Sequence, residues 1–477
     1  MEEMSKHDRI RNRFGLFGGL SFIFGIAASA LFYKAGIGLN SFIFTIIMVI
    51  LLVIASRKLG IRITRGTCLY FAAAVLLGLS NMLTSSWRLQ FLNSIGILLL
   101  LEVSLIRLFR YDNAKSITEY LYHMVLVPIH ALSSVWMLFS DANRFAKDKK
   151  IVKNEKLRNV LIGCVITVPI LFVIIALLSS ADMVFGKITR TMFERIFYSD
   201  IYVVAILTVF GTLLCYSLFC GASRESAAVI SNNKKANPTI GITISSLLLI
   251  VYVTFCAIQV LYLFAGGLFT LPEEFTYSEY ARQGFFELLA VTCLNIVLIL
   301  VCVNVFDESK WLKRALAAVT ACTYIMIASA AYRMFLYIGA YHLTFLRLFV
   351  LLFLLIDALL LAGVIISIYR RQFPLFEYSV AVISICYILF SFSRPDYYTA
   401  KYFLEHKEVI TSEDITFLTS ELSHDAAGVV VSFLKEHPEY ENDFFVKLYY
   451  KRAVDKSGKT NIRGYNRSYE RAYELIR

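Results

Sequence analysis

The chain has 477 residues, 58% of them hydrophobic and 38 of them Phe, with a mean hydropathy of +0.66. Its formal net charge is +12, from 47 Lys and Arg against 35 Asp and Glu. So apolar a chain is not an ordinary soluble fold, and a basic excess without a clustered soluble basic module excludes a nucleic-acid footprint.

Eleven apolar runs follow one another, each roughly 18–26 residues long and able to cross a hydrocarbon core of about 30 Å as a helix. They cover residues 16–33, 37–55, 66–83, 89–109, 157–178, 201–220, 240–265, 285–306, 315–338, 343–369 and 375–392. The pattern predicts an all-α, polytopic transmembrane helix bundle over 1–393 and a small soluble helical tail over 394–477. The first run follows Lys6, Arg9, Arg11 and Arg13 and ends near Ala28-Ser29-Ala30, which imitates a signal peptide. Its length and the spans behind it make it a retained first helix.

A further apolar stretch, 117–139, decides the orientation of everything after it. Lys and Arg concentrate in cytoplasmic loops. With the N-terminus inside and 117–139 not crossing, the loops and ends outside the tail hold 26 basic residues inside and 8 outside. If 117–139 crosses, the split is 17 against 17. The first threading is the expectation, with the tail extracytoplasmic. Glu119, His123, His130, Ser133 and Ser134 fall on one arc of a helix here, and Pro128 favours a kink. The stretch reads as an interfacial or re-entrant helix; the alternative is a twelfth span lining a polar cavity.

After Arg394-Pro395 the composition becomes nearly neutral, with 13 Lys and Arg against 14 Asp and Glu. Ser412 and Ser423 are expected N-caps, Pro438 ends a helix begun near Asp425, and another covers about 441–453. Tyr465, Tyr469 and Tyr473 form one stripe, read as packing, with a docking face for an envelope protein or ligand as the alternative. All nine Cys fall within spans and read as small apolar residues, not as disulfides or metal ligands.

Walker A, GxSxG, HExxH and GxGxxG motifs are absent. No metal and no cofactor is expected, and membrane lipid is the one partner the composition requires. Two polar groupings remain. Glu102, Asn295 and Asp357 lie within spans, where a carboxyl costs about 2.5–3.5 kcal/mol and must face the bundle interior. They read either as coupling groups of a transport pathway or as interhelical hydrogen-bonding groups. On the outer side Glu279, Arg282, Glu287, Arg333 and Arg347 could hold a phosphorylated or acidic headgroup, or could brace loops.

Some of these residues carry a resemblance. Ser180-Ala181-Asp182-Met183-Val184-Phe185, the run Glu279 to Leu288, and Tyr332-Arg333-Met334 with Tyr337, Tyr341 and Leu346-Arg347 resemble three motifs of a bacterial family of integral membrane proteins, domain of unknown function 4173. The resemblance implies a bacterial cytoplasmic-membrane protein but no activity. Three functions stay open: a non-enzymatic protein that binds, senses or scaffolds on the envelope side; a secondary transporter using Asp357 and Glu102; and an enzyme acting on a lipid-linked substrate.

Overall fold

In a hydrocarbon core every backbone N–H and C=O must find its partner within its own segment, and the apolar runs do this as α-helices. The computed structural model describes residues 6–110, 117–148, 163, 167, 171, 174–175, 177–196, 200–224, 235–261, 285–370, 372–457 and 462–477. The expected span 157–178 lies largely outside the described residues. Contacts divide the chain into two units. One comprises Met1–Leu83, Leu92–Ala228 and Gly458–Asn466; the other comprises Thr84–Phe91, Val229–Ser457 and Arg467–Arg477. This division does not follow the change in composition at residue 394.

The first unit begins with a short helix, α1 (Lys6–Asn12), followed by α2 (Phe14–Phe32), α3 (Leu39–Leu59) and α4 (Arg65–Leu83). It takes in α5 (Trp87–Arg110) from Leu92 onward, then α6 (Ile117–Ser133), α7 (Met137–Asp148), α8 (Met183–Ile196) and α9 (Asp200–Ser223). Helices α2 and α9 are antiparallel. Ser29 pairs with Thr208 (Oγ to Oγ1, 2.7 Å), Phe17 meets Phe219, and Tyr33 and Lys34 reach Asp200. At the crossing Gly25 faces Gly211, and a Cβ on Gly25 would run into the backbone of Thr208. Small residues are what let two membrane helices approach this closely.

Basic residues gather at one end of this unit. Lys6 Nζ donates to the Phe109 carbonyl at 2.7 Å, closing α1 onto the end of α5. Arg11 Nε donates to Asp141 Oδ1 of α7 at 2.9 Å, and Tyr216 of α9 donates to Asp141 Oδ2 at 2.8 Å. Since α1 touches both Phe109 and Asp141, the chain leaves and regains the same end of the unit between them. Helix α6 lies along α9 in the same direction, with Ala131 against Gly221 and Arg224 Nη1 donating to Ser133 Oγ at 2.9 Å. Its exposed face is apolar (Leu121, Val125, Ile129, Leu132), whereas His123 is buried. The expected kink at Pro128 is not where the chain turns. Pro128 sits inside α6, and the 55° bend falls between α6 and α7. Proline removes one hydrogen bond, which a packed helix tolerates; the turn at 134–136 is what redirects the chain.

The opposite end of the unit carries the α2–α3 turn. Tail residues reach it: Leu39 N donates to the Tyr465 carbonyl at 2.8 Å, Arg463 Nη1 donates to the Ala30 carbonyl at 2.7 Å, and Asn466 Nδ2 donates to the Asn81 carbonyl at 3.2 Å.

The second unit contains α10 (Pro238–Gln259), α11 (Phe285–Val305), α12 (Lys310–Tyr341), α13 (Phe345–Tyr369) and α14 (Leu375–Phe392). Asn237 caps α10 by accepting from Thr239 N at 2.9 Å, with Pro238 at the first helical position. The tail follows as α15 (Pro395–His406), α16 (Ser412–Thr416), α17 (Ala427–Glu436), α18 (Phe444–Lys456) and α19 (Arg467–Ile476). It has its own core, centred on Phe403, Ile415, Leu418, Val430, Leu434 and Tyr449. Ser423 caps the turn after it, as expected, but Thr411 rather than Ser412 caps α16, in a capping box with Asp414. The hydroxyl one residue earlier is the one that meets a carboxylate three positions on. The tail lies at the end of this bundle where α12 turns into α13, with the His342 ring against Phe403.

Among the described residues ten helices are long and apolar enough to span: Phe14–Phe32, Leu39–Leu59, Arg65–Leu83, Trp87–Phe109, Asp200–Ser223, Pro238–Gln259, Glu287–Val305, Lys310–Tyr341, Phe345–Tyr369 and Leu375–Phe392. The fold is an all-α polytopic helix bundle.

Candidate functional site

An apolar cavity of about 210 Å³ lies in the first unit, walled by α2, α3, α5, α6 and α9. Phe24, Leu51, Leu101, Val127 and Phe219 line it, and one carboxyl, Glu102, joins them. Glu102 follows from the sequence of α5: it lies eight residues before Arg110, about 12 Å from the basic end. Its Oε1 is buried and has no hydrogen-bond partner among the described residues. A carboxyl in this setting must be protonated or meet a cation. Pro128 of α6 is part of the same wall. The carbonyl of Met124, four residues earlier, therefore receives no N–H from that position.

The other two intramembrane residues belong to the second unit. Asn295 joins three helices: Tyr252 OH donates to its Oδ1 at 2.6 Å and its Nδ2 donates to Thr323 Oγ1 at 2.9 Å. Both ends of its amide are satisfied, as an interhelical brace requires. Asp357 is 3% exposed, near the middle of α13, with Thr292 beside it and its Oδ2 unpartnered among the described residues.

The described residues of the outer cluster have separate surroundings. Glu279 and Arg282 lie outside the described residues. Glu287 is exposed in the first turn of α11. Arg333 is 6% exposed and donates through Nη2 to Gln259 Oε1 at 3.0 Å, which also accepts from Ser329 Oγ at 2.6 Å. Arg347 donates to the carbonyls of Tyr341 and His342 and lies 4.3 Å from the Tyr337 ring centre. It thus serves the last carbonyls of α12.

Sequence reasoning missed three buried groups: Gln259, which receives Arg333; Asp141, which ties α7 to α1 and α9; and Asp396 in the tail. None of the three carries a distinguishing sequence signal; Asp141 shares its basic stretch with Asp148 and Glu155. Among the described residues no three His, Cys, Asp or Glu side chains form a metal centre.

These features define an integral membrane protein with a carboxyl-bearing intramembrane cavity. Residues 71–433 match a family described as Domain of unknown function (DUF4153), and the protein belongs to it. The three short motifs pointed instead to the family numbered 4173. They are brief runs of aromatic, small and basic residues, which span ends share widely, whereas the match extends over most of the chain. No curated protein and no solved structure matches the chain.

Proposed function

We propose that this is a non-enzymatic binding or sensing protein of the bacterial cytoplasmic membrane whose ligand is small, largely apolar and cationic at one point, held in the Glu102 cavity. The observation that carries the reading is the unpartnered Glu102 oxygen in an otherwise apolar cavity. The volume lies below the roughly 300–1,000 Å³ of pockets for drug-sized ligands, which favours an alkyl- or arylalkyl-ammonium ion. The N-terminus is cytoplasmic and the tail extracytoplasmic in this reading. Two arrangements support that: basic residues gather at the α1 end, and the chain regains that end between Phe109 and Asp141, so that 117–139 is re-entrant. An envelope protein would meet the tail.

The test uses purified protein in lipid nanodiscs with radiolabelled phenethylammonium. Saturable binding should weaken at least tenfold in Glu102→Gln; equal binding by the two proteins refutes the reading. A second reading, proton-coupled transport, is favoured by Pro128 in the cavity wall, since transporters commonly interrupt helices at their sites. Glu102-dependent uptake of the same probe into vesicles under a pH gradient would select it over binding alone.

A further inference from the structure

We propose that the tail holds one calcium ion, bound by Asp396 and Thr399 of α15 together with Asp425 and the phenol of Tyr449. Two buried carboxylates of the second unit have no cation beside them among the described residues. Asp396 is 1% exposed and Asp425 6% exposed. Asp425 accepts from Ser85 N at 2.8 Å, from Ser85 Oγ at 3.1 Å and from Thr84 Oγ1. Asp396 Oδ2 accepts from Ser423 N at 3.2 Å. All of these donors are neutral, and among the described residues no basic side chain bonds to either carboxylate. Burial raises the affinity of Asp396 for a proton above that of an ordinary carboxyl, and the nearby Asp425 charge adds to it.

Three oxygens of this region are buried without a hydrogen-bond partner: Asp396 Oδ1, Thr399 Oγ1 and Tyr449 OH. Asp396 and Tyr449 border the same turn, since Ser423 N donates to the one and the His424 ring stacks on the other. Asp396 and Thr399 are three apart on α15 and share a face. The His424 ring stacks on the Tyr449 ring with centres 4.1 Å apart and planes within 6°, while His424 Nε2 lies 2.9 Å from the Tyr449 carbonyl. The tip of the imidazole therefore lies over the root of the tyrosine. The phenol points back along His424 toward the 423–425 backbone, where Ser423 holds Asp396 and Asp425 follows. Tyr449 accordingly senses the charges of both aspartates.

Two negative charges with neutral oxygens around them suit a hard divalent cation, since soft or nitrogen-seeking metals need Cys or His. Thr399 and Tyr449 are 0% and 1% exposed, so an ion here sheds most of its water. That favours calcium over magnesium, which keeps its waters and demands an octahedron. With two carboxylates the affinity belongs to the weak class of about 10⁻⁴–10⁻³ M.

The experiment strips the full-length protein in detergent with a chelator, titrates it with calcium chloride, and reads the melting temperature and bound calcium by equilibrium dialysis. The expected result is one calcium per chain and an upward melting shift of a few degrees that magnesium does not match. Asp396→Asn should lose at least tenfold in calcium affinity while melting no lower than the stripped parent. Thr399→Val should weaken binding several-fold with the fold intact. The proposal is overturned if the parent binds no calcium, if Asp396→Asn binds it equally, or if magnesium substitutes fully. The first outcome leaves Asp396 simply protonated.

Discussion

Asp141 gives the sharpest test of how α7 is held. It is 2% exposed and accepts from Arg11 at 2.9 Å and from Tyr216 at 2.8 Å. Replacing it with Leu leaves the fully buried Tyr216 hydroxyl without its acceptor, a loss of about 1–3 kcal/mol. The Arg11 pair adds at most about 1 kcal/mol, because the Arg11 side chain is 32% exposed and screened. Removing the buried carboxylate returns part of its desolvation cost, so the expected net loss is about 2 kcal/mol. Asp141→Asn keeps an acceptor and should lose about 1 kcal/mol or less. The assay is unfolding of the full chain in detergent micelles, with Asp141→Leu measured alone and in a Tyr216→Phe background. The two losses should fall short of additivity by about 1 kcal/mol, since both variants delete one shared bond. Full additivity, or a loss below about 0.5 kcal/mol for Asp141→Leu, would refute the reasoning.

Gly25→Leu should cost more than about 3 kcal/mol or abolish folded expression, because the side chain meets Thr208 and Thr212 at the α2–α9 crossing; gel filtration of the purified variant decides this. His424 should give the tail a pH dependence. Burial lowers its pKa from 6.5 to about 4, helped by the charges of Arg452 and Lys456. The folded form therefore holds fewer protons than the unfolded one between these values, and stability falls as pH drops from about 6.5 toward 4. The total loss is about 3 kcal/mol. Asp396 acts with the opposite sign, since its raised pKa contributes stability that is lost as pH rises. Amide exchange across 424–453 should accelerate over the His424 window in the parent and lose most of that dependence in His424→Gln. Finally, His342 holds φ 62° and ψ 177° at the end of α12, a region that glycine occupies without strain. His342→Gly and His342→Ala both lose the Phe403 contact, yet Gly should melt higher, by about 1–2 kcal/mol of stability; equal melting would remove strain from the account.

Much of the membrane part was legible because the bilayer imposes a one-dimensional rule. Length and apolarity alone are enough to recognise α2 to α5 and α9 to α14 as helices able to cross a membrane. That Glu102, Asn295 and Asp357 lie within α5, α11 and α13 followed from the same counting. Which of them meets a partner did not: Asn295 is satisfied by Tyr252 and Thr323, 43 and 28 residues away, while Glu102 opens into a cavity built from five helices. Arg333 and Arg347 show the same limit. Their types suggest anion binding, but Gln259 and the α12 carbonyls receive them.

The sequence by itself determined that the fold is an all-α bundle with many helices long and apolar enough to cross a membrane, and which of those helices carry polar residues. Hydrophobic transfer and backbone satisfaction act on each segment separately, so a linear pattern carries them. Tertiary structure alone decided the rest: that Asp141 returns α7 to α1, that Glu102 keeps an unpartnered oxygen in an apolar cavity, and that Asp396, Thr399 and Tyr449 are buried with unpartnered oxygens in the tail. Those depend on which helices pack together, and neighbours joined across 75 to 130 residues, as Asp141 is to Tyr216 and Arg11, leave no periodicity to read.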